Sequence, residues 1–235
     1  MARYTRAQWG AKPPKSAPTL LPWSRIDTLY VHYTSMASES EGDPRGVARA
    51  IQRFHQVTRG WNDIAYTHAF TDEGDILELR GWNVYTAATG IENGHSQALV
   101  FFGGDRLGRD DVTAAGRKAL RTLVNEAFQK AGKTLVVKGH TEARDPTGQT
   151  ACPGLELLSF IHIQNKDGWR WESRTGYKWP KRFFTFAAWY LGEGPFKQYG
   201  PKSKAHYPRH LFPRRIQPVY WAALRYFLAQ RKKAA

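Results

Sequence analysis

Three side chains stand apart for the chemistry they offer: His32, His140 and Cys152, the last being the chain's only cysteine. His32 falls inside 27–34 (DTLYVHYT), a β-branched and aromatic run that alternates like a strand. His140 closes a second apolar run, LVVKGH, and Cys152 stands directly before Pro153, a residue favoured in the first turn of a helix. Two imidazoles and a thiolate suit Zn²⁺, and three protein ligands leave a fourth position for water, the catalytic rather than the closed structural arrangement. Hydroxide near neutral pH is what such a site delivers. The same residues admit two further readings. A thiol at a helix N-terminus is acidified, and with His140 it would make a Cys–His nucleophilic pair. A lone cysteine is also commonly a small buried hydrophobe, and a histidine in a strand commonly a core or surface residue. Spacing alone leaves all three open.

Other titratable residues offer less. His55, His95, His162, His206 and His210 have nothing comparable around them, whereas His68 shares an alternation with Tyr66 and reads either as lining the same site or as a structural residue. Glycosidase chemistry needs two carboxylates roughly 5 to 10 Å apart, and no pair nominates itself. Glu39, Glu41 and Asp43 sit in a Ser/Gly-rich stretch and read as solvated charge.

The elements that must position these residues follow from periodicity. The strand at 27–34 puts Tyr30 and His32 on one face and Leu29, Val31 and Tyr33 on the other. A helix over 44–59 carries Val47, Ile51 and Phe54, and strands are predicted at 64–70, 76–79 and 97–102. Thr113 caps a helix with the stripe Leu120, Leu123, Val124, Ala127 and Phe128, ended by Gly132. A strand at 134–138 follows, and Pro153 opens a last helix bearing Leu155, Leu158 and Ile161. The fold class is α/β, a central mixed β-sheet with flanking helices.

With 235 residues and 26.8 kDa, the chain has room for one full domain of this kind and a small appendage. Charge marks the division. Residues 165–235 hold 16 Lys and Arg against 3 Asp and Glu, a net +13 of the chain's +15, together with 17 of its 32 aromatics. The boundary is placed at Asn165-Lys166-Asp167-Gly168, giving domains 1–164 and 165–235, the second small, basic and helical. Rings and cations interleave there (Trp169, Arg170, Trp171; Tyr177, Lys178, Trp179), a pattern able to stack on sugars or bases while meeting phosphates. Nucleic acid is the less favoured partner, because no paired zinc ligands, Gly-rich loop or ribonucleoprotein motif is present. The N-terminal residues hold no apolar run, and no stretch approaches the roughly 18 apolar residues of a membrane span. The expectation is a monomer that accumulates in the cytoplasm without a signal peptide.

Five blocks stand in order along 1–164: Arg6-Ala7-Gln8-Trp9-Gly10-Ala11, Val31-His32-Tyr33-Thr34, Gly60-Trp61-Asn62-Asp63-Ile64-Ala65-Tyr66, Gly81-Trp82-Asn83-Val84, and Gly139-His140 followed by Thr150-Ala151-Cys152-Pro153-Gly154. This ordered set resembles the zinc N-acetylmuramoyl-L-alanine amidase family, which includes phage endolysins and peptidoglycan recognition proteins. The resemblance implies that His32, His140 and Cys152 hold one zinc ion. It places Tyr66 beside the metal, where a phenol activates water or stabilises a tetrahedral intermediate. Thr150 falls where relatives carry Lys or Thr near the scissile carbonyl, and Trp61, His68 and Trp82 are expected to contact substrate. One departure concerns the groove: where relatives commonly read Gly-Ala-His, this chain reads Thr86-Ala87-Ala88, and His95 is the candidate to compensate.

The function implied is metal-assisted hydrolysis of the amide between N-acetylmuramic acid and L-alanine in peptidoglycan, in a phage lytic enzyme that acts on the wall after release. The alternative is a non-catalytic peptidoglycan-binding protein on the same scaffold. Attached to such a domain, residues 165–235 read as a cell-wall or envelope targeting module drawn to an anionic polymer or membrane surface, or else as a small helical core with a basic surface; the apolar helix 218–233, ending in a basic cluster, is expected to dock against that core rather than lie on a membrane interface.

Overall fold

Among the described residues six strands, β1 (Arg3–Tyr4), β2 (Thr28–Tyr33), β3 (His68–Phe70), β4 (Ile76–Glu78), β5 (Ser96–Phe101) and β6 (Val136–Gly139), form one mixed sheet in the order β1-β4-β3-β5-β2-β6. Only β3 and β4 run antiparallel; β2 lies parallel to both β5 and β6. The computed structural model describes residues 1–34, 42–103, 112–144, 150 and 152–169. The basic aromatic segment from 170 onward, the targeting reading attached to it, and Glu39 and Glu41 lie outside the described residues. Among those described, no helix is long and apolar enough to cross a membrane.

Strand alternation sends side chains to two cores. Leu29 and Val31 of β2, Phe70 of β3 and Leu99 and Phe101 of β5 pack against two helices, α3 (Ala114–Ala131) and α4 (Leu155–Asp167). On the other face Ala69, Leu77 and Val100 meet Trp9 of α1 (Arg6–Trp9) and Ala48 and Ile51 of α2 (Pro44–Arg53). Helix α3 carries the expected ends: the Thr113 hydroxyl accepts from the Gly116 N–H at 3.1 Å, and Gly132 closes it in the left-handed conformation at φ 64°.

Four expectations are corrected. The helix foreseen over 44–59 is α-helical only to Arg53 and continues as a π turn, Phe54–Thr58. Phe54 is 45% exposed there, and the inward place one turn after Ile51 belongs to His55. The reason is hydrogen bonding. His55 Nδ1 accepts the Ala65 N–H at 3.1 Å, while Gln56 Nε2 donates to the carbonyls of Pro13 and Asn62, and the wider turn lets both neighbours reach inward.

The strand foreseen over 64–70 begins only at His68. Its first residues give their backbone groups elsewhere, Ala65 N–H to His55, the Ile64 carbonyl to the Arg80 guanidinium, and the Tyr66 carbonyl to the Arg80 N–H at 3.0 Å. Finally, Pro153 stands in a turn ahead of α4 rather than within its first turn. That helix also crosses the boundary set at 164/165, and Trp169 is buried edge-on against Phe160 at 6.0 Å, so the first unit reaches at least Trp169.

One close approach joins sheet to loop. A Cβ added to Gly139 at the end of β6 would lie 2.6 Å from Pro153 Cδ and 2.8 Å from Leu158 Cδ1, so the Cys152-Pro153 turn can press on β6 only over glycine. Gly139→Ala is therefore expected to cost about 1–3 kcal/mol through overpacking, measured as a lower Tm of metal-free protein; an unchanged Tm would show that the turn yields without cost.

Candidate metal centre

Register brings the two histidines together. β2 pairs with β6 so that Val31 faces Gly139, which sets His140, the next residue, beside His32 at the sheet's end. Their ring centroids are 4.4 Å apart. The turn pressed on Gly139 delivers Cys152, and the ligand atoms of His32, His140 and Cys152 all lie within 4.8 Å of one another. Each is held from behind. The Tyr33 N–H points at Cys152 Sγ at 3.3 Å, the Thr141 N–H donates to the Cys152 carbonyl at 2.7 Å, and the Cys152 N–H donates to Thr150 Oγ1 at 3.1 Å. Glu142 accepts from the Gly139 N–H at 2.8 Å and meets His162 Nε2 at 3.0 Å, tying the His140 turn to α4.

His32 and Cys152 are buried and His140 half-buried. Burial, and then the neighbouring His140, hold the His32 pKa well below the ordinary histidine value, so His32 is a neutral imidazole with a lone pair to give. A buried thiol facing a backbone donor beside two imidazoles is a donor set that fits Zn²⁺, and three ligands leave the cation one coordination position open.

Around this triad runs a row of rings. Tyr66 lies 5.4 Å from His32, His55 6.0 Å from Tyr66, and Trp61 4.7 Å from His55, all centroid to centroid. Tyr66 thus reaches the centre from the irregular approach to β3, not from the strand. That approach is fixed by buried charge: Asp63 accepts from Gln52 Nε2 at 2.7 Å and pairs with Arg6 at 2.9 Å, and Arg80 donates to the carbonyls of Asp63, Ile64 and Tyr85.

Of the eight residues singled out, the structure gathers His32, His140, Cys152 and Tyr66, with Thr150 against the Cys152 turn and Trp61 at the end of the ring row. His68 and Trp82 are elsewhere. In the parallel ladders His32 is level with Val100 and His68 with Leu99, adjacent residues of β5 whose side chains point to opposite faces, so His68 stands on the α3 side. There it packs on Trp82 at 4.5 Å, and Trp82 Nε1 donates to Glu126 at 2.9 Å. Neither faces the metal centre. His95 does not replace the groove histidine either, because its two nitrogens meet Asp27 at 2.9 Å and Glu92 at 2.8 Å.

Two contributors escaped the sequence reading. For His55 the available signal is its place one helical turn beyond Ile51. Thr89, whose hydroxyl lies 3.2 Å from His32 Nε2, carries no local signal at a separation of 57 residues.

The fold and this site define a domain of the peptidoglycan-recognition and amidase type. No family model matches the chain. It is 30% identical over 173 residues to peptidoglycan-recognition protein LB of Drosophila melanogaster, covering 70% of this chain and 72% of that protein. It is 29% identical over 166 residues to an N-acetylmuramoyl-L-alanine amidase of Homo sapiens, where the match takes in 68% of this chain but only 28% of the human protein. Among solved structures, peptidoglycan recognition protein-LE in complex with tracheal cytotoxin superposes with a TM-score of 0.59 at 27% identity, over 70% of this chain and 93% of that one. The chain belongs to the family of peptidoglycan-recognition proteins and N-acetylmuramoyl-L-alanine amidases.

Burial has a pH consequence. It pushes the His55 pKa down from 6.5 to about 4, with the Arg80 and Arg59 cations adding to it, and pushes His68 down to about 3. Between 6.5 and these values the unfolded chain binds more protons than the folded one, so the stabilisation is complete above pH 6.5 and is lost as pH falls towards the folded values. The Tm of chelated protein should fall on acidification through this window. His68→Phe, which keeps a ring on Trp82 and removes a buried Nδ1 without a hydrogen-bond partner, should shallow the fall; a Tm flat with pH, or a slope the variant leaves unchanged, contradicts this account.

Proposed function

We propose that the chain is a zinc-dependent peptidoglycan amidase that hydrolyses the amide between N-acetylmuramic acid and L-alanine. The observation that carries this reading is the convergence of His32, His140 and Cys152 within 4.8 Å beside the Tyr66 ring, a donor set for which simple recognition has no use. When bound, zinc supplies Lewis acidity and acidifies a water in its open position. The chain's own residues do the rest. His32 offers a neutral nitrogen, the Tyr33 N–H supports the sulfur, and Tyr66 presents a phenolic hydroxyl to the oxygen that gains charge as water adds to the lactyl carbonyl. The C–N bond then breaks and the L-alanine amine leaves with a proton. Cys152 acts as ligand, not nucleophile.

Kinship supports the substrate class: the human relative is named an N-acetylmuramoyl-L-alanine amidase, and the recognition protein LE structure holds a monomeric diaminopimelic acid-type peptidoglycan. A second reading, peptidoglycan binding without hydrolysis, draws on Thr86-Ala87-Ala88, which puts no histidine in the groove where relatives commonly carry one. We place the enzyme in phage lysis, made in the cytoplasm and released to the wall. The concentration of positive charge and aromatic rings in 170–235 supports a module that holds it on an anionic wall polymer or envelope surface.

Purified protein incubated with peptidoglycan should release new L-alanine amino groups and no new reducing sugar ends, with activity abolished by chelator and restored by zinc. Tyr66→Phe should retain zinc and lose at least about 100-fold in turnover, the lower range for a general acid–base contribution. Chelator-resistant cleavage would move Cys152 to nucleophile, and intact product-free peptidoglycan that still binds the protein would establish the recognition reading.

A further inference from the structure

One nitrogen of the His32 ring has a partner outside the candidate triad. Its Nε2 lies 3.2 Å from the Thr89 hydroxyl oxygen, and both residues are buried, Thr89 at 0% and His32 at 2% exposure. A buried imidazole makes its hydrogen bonds to protein, so the partner of one nitrogen decides which nitrogen carries the proton and which keeps a lone pair. If Nε2–H donates to Thr89, the lone pair sits on Nδ1; if Thr89 donates to Nε2, Nδ1 carries the proton and cannot bind a cation.

Thr89 itself has little freedom. Its N–H donates to Asn93 Oδ1 at 2.9 Å and its carbonyl accepts from the Glu92 N–H at 3.0 Å, at the head of the 3₁₀ turn Gly90–Gly94. The same Asn93 oxygen also takes the Ala88 N–H at 3.1 Å and the Thr86 hydroxyl at 3.2 Å, while Asn93 Nδ2 donates to the Gly90 carbonyl at 2.7 Å. One buried amide thus closes the turn that presents the Thr89 hydroxyl to the ring. Three bonds to Oδ1 and one from Nδ2 tie the turn at four points.

We propose that Thr89 is a positioning residue for the metal: its hydroxyl oxygen accepts a hydrogen bond from His32 Nε2–H, fixes the ring and its tautomer, and so leaves the lone pair on Nδ1 for a cation shared with His140 and Cys152. Asn93 holds Thr89 in place. Outer contacts of this kind typically control metal affinity by about 10- to 100-fold. The inference rests on the zinc reading of the three-residue site. It assigns to residues 86–93, where the chain has no groove histidine, the task of preparing a ligand before metal arrives.

The test compares wild type, Thr89→Val and Thr89→Ser as full-length proteins. Zinc affinity is measured by competition with a chromophoric chelator, the Tm of each metal-free protein is recorded, and long-range ¹H–¹⁵N spectra of the metal-free proteins report which His32 nitrogen is protonated. The expected result is zinc binding weakened about 10- to 100-fold in Thr89→Val and recovered in Thr89→Ser, with wild-type His32 protonated at Nε2. The valine variant should show a mixture of tautomers. A merely structural threonine would lower the metal-free Tm without changing the tautomer. Zinc binding by wild type that Thr89→Val leaves within twofold, or an Nδ1–H tautomer in wild type, overturns the proposal while leaving the zinc reading intact. Failure of wild type itself to bind zinc overturns both.

Discussion

The site depends on one packing constraint, the contact of the Cys152-Pro153 turn with a strand end that has no side chain. Gly139 closes β6 one residue before His140, and its missing Cβ is the space into which Pro153 and Leu158 fit. Because β6 lies parallel to β2 with Val31 facing Gly139, that contact settles two separations at once. It puts His140 level with His32 and brings Cys152 down onto both. Helix α3 makes the crossover from β5 to β6, the two parallel strands that flank β2, and buries the apolar stripe of residues 119–127 against the sheet face opposite His32. The hydrophobic core therefore does more than stabilise: it holds two neighbouring strands level, and level strands make a ligand pair out of residues more than a hundred positions apart.

A second layer of polar contacts refines what packing places. Donors approach Cys152 from Tyr33, and the Thr89 hydroxyl meets His32, while Glu142 anchors the Gly139 amide and Glu92 takes the backbone N–H and guanidinium of Arg144 at 3.3 and 3.2 Å. These are buried or half-buried bonds whose loss would leave unsatisfied groups, so they hold geometry more firmly than their net energies suggest. The Tyr66 arm has its own frame in Asp63, Arg6 and Arg80. The candidate ligands and the phenol thus come from separately braced segments, and replacing Tyr66 need not disturb the triad.

The strand at 27–34 and the ends of α3 were legible in the sequence because each is a local pattern: alternation at 27–34, Thr113 before an apolar stripe, Gly132 after it. The triad was legible through the ordered blocks that resemble the amidase family, since spacing alone left Cys152 open to three roles. What the sequence hid is non-local. The π turn arises from bonds between His55 and Ala65 and between Gln56 and two carbonyls, and no periodicity announces them. The misplacement of His68 has the same root: pairing it with Tyr66 by alternation assumes a continuous strand, yet the chain before His68 is drawn off by Arg80 and His55. Once that continuity fails, parity says nothing, and His68 with Trp82 belongs to the α3 face.

The central claim is that the folded chain presents two imidazoles and one thiolate to a single metal ion. Titration of metal-free protein with Co²⁺, followed by absorption, tests it directly, because cobalt takes the zinc geometry and reports its ligands. Saturation at one equivalent, with a thiolate-to-cobalt charge-transfer band and the strong visible bands of a four-coordinate ion, both lost in Cys152→Ala, is the predicted result. Uptake without the charge-transfer band, or no uptake by folded protein, would contradict the account.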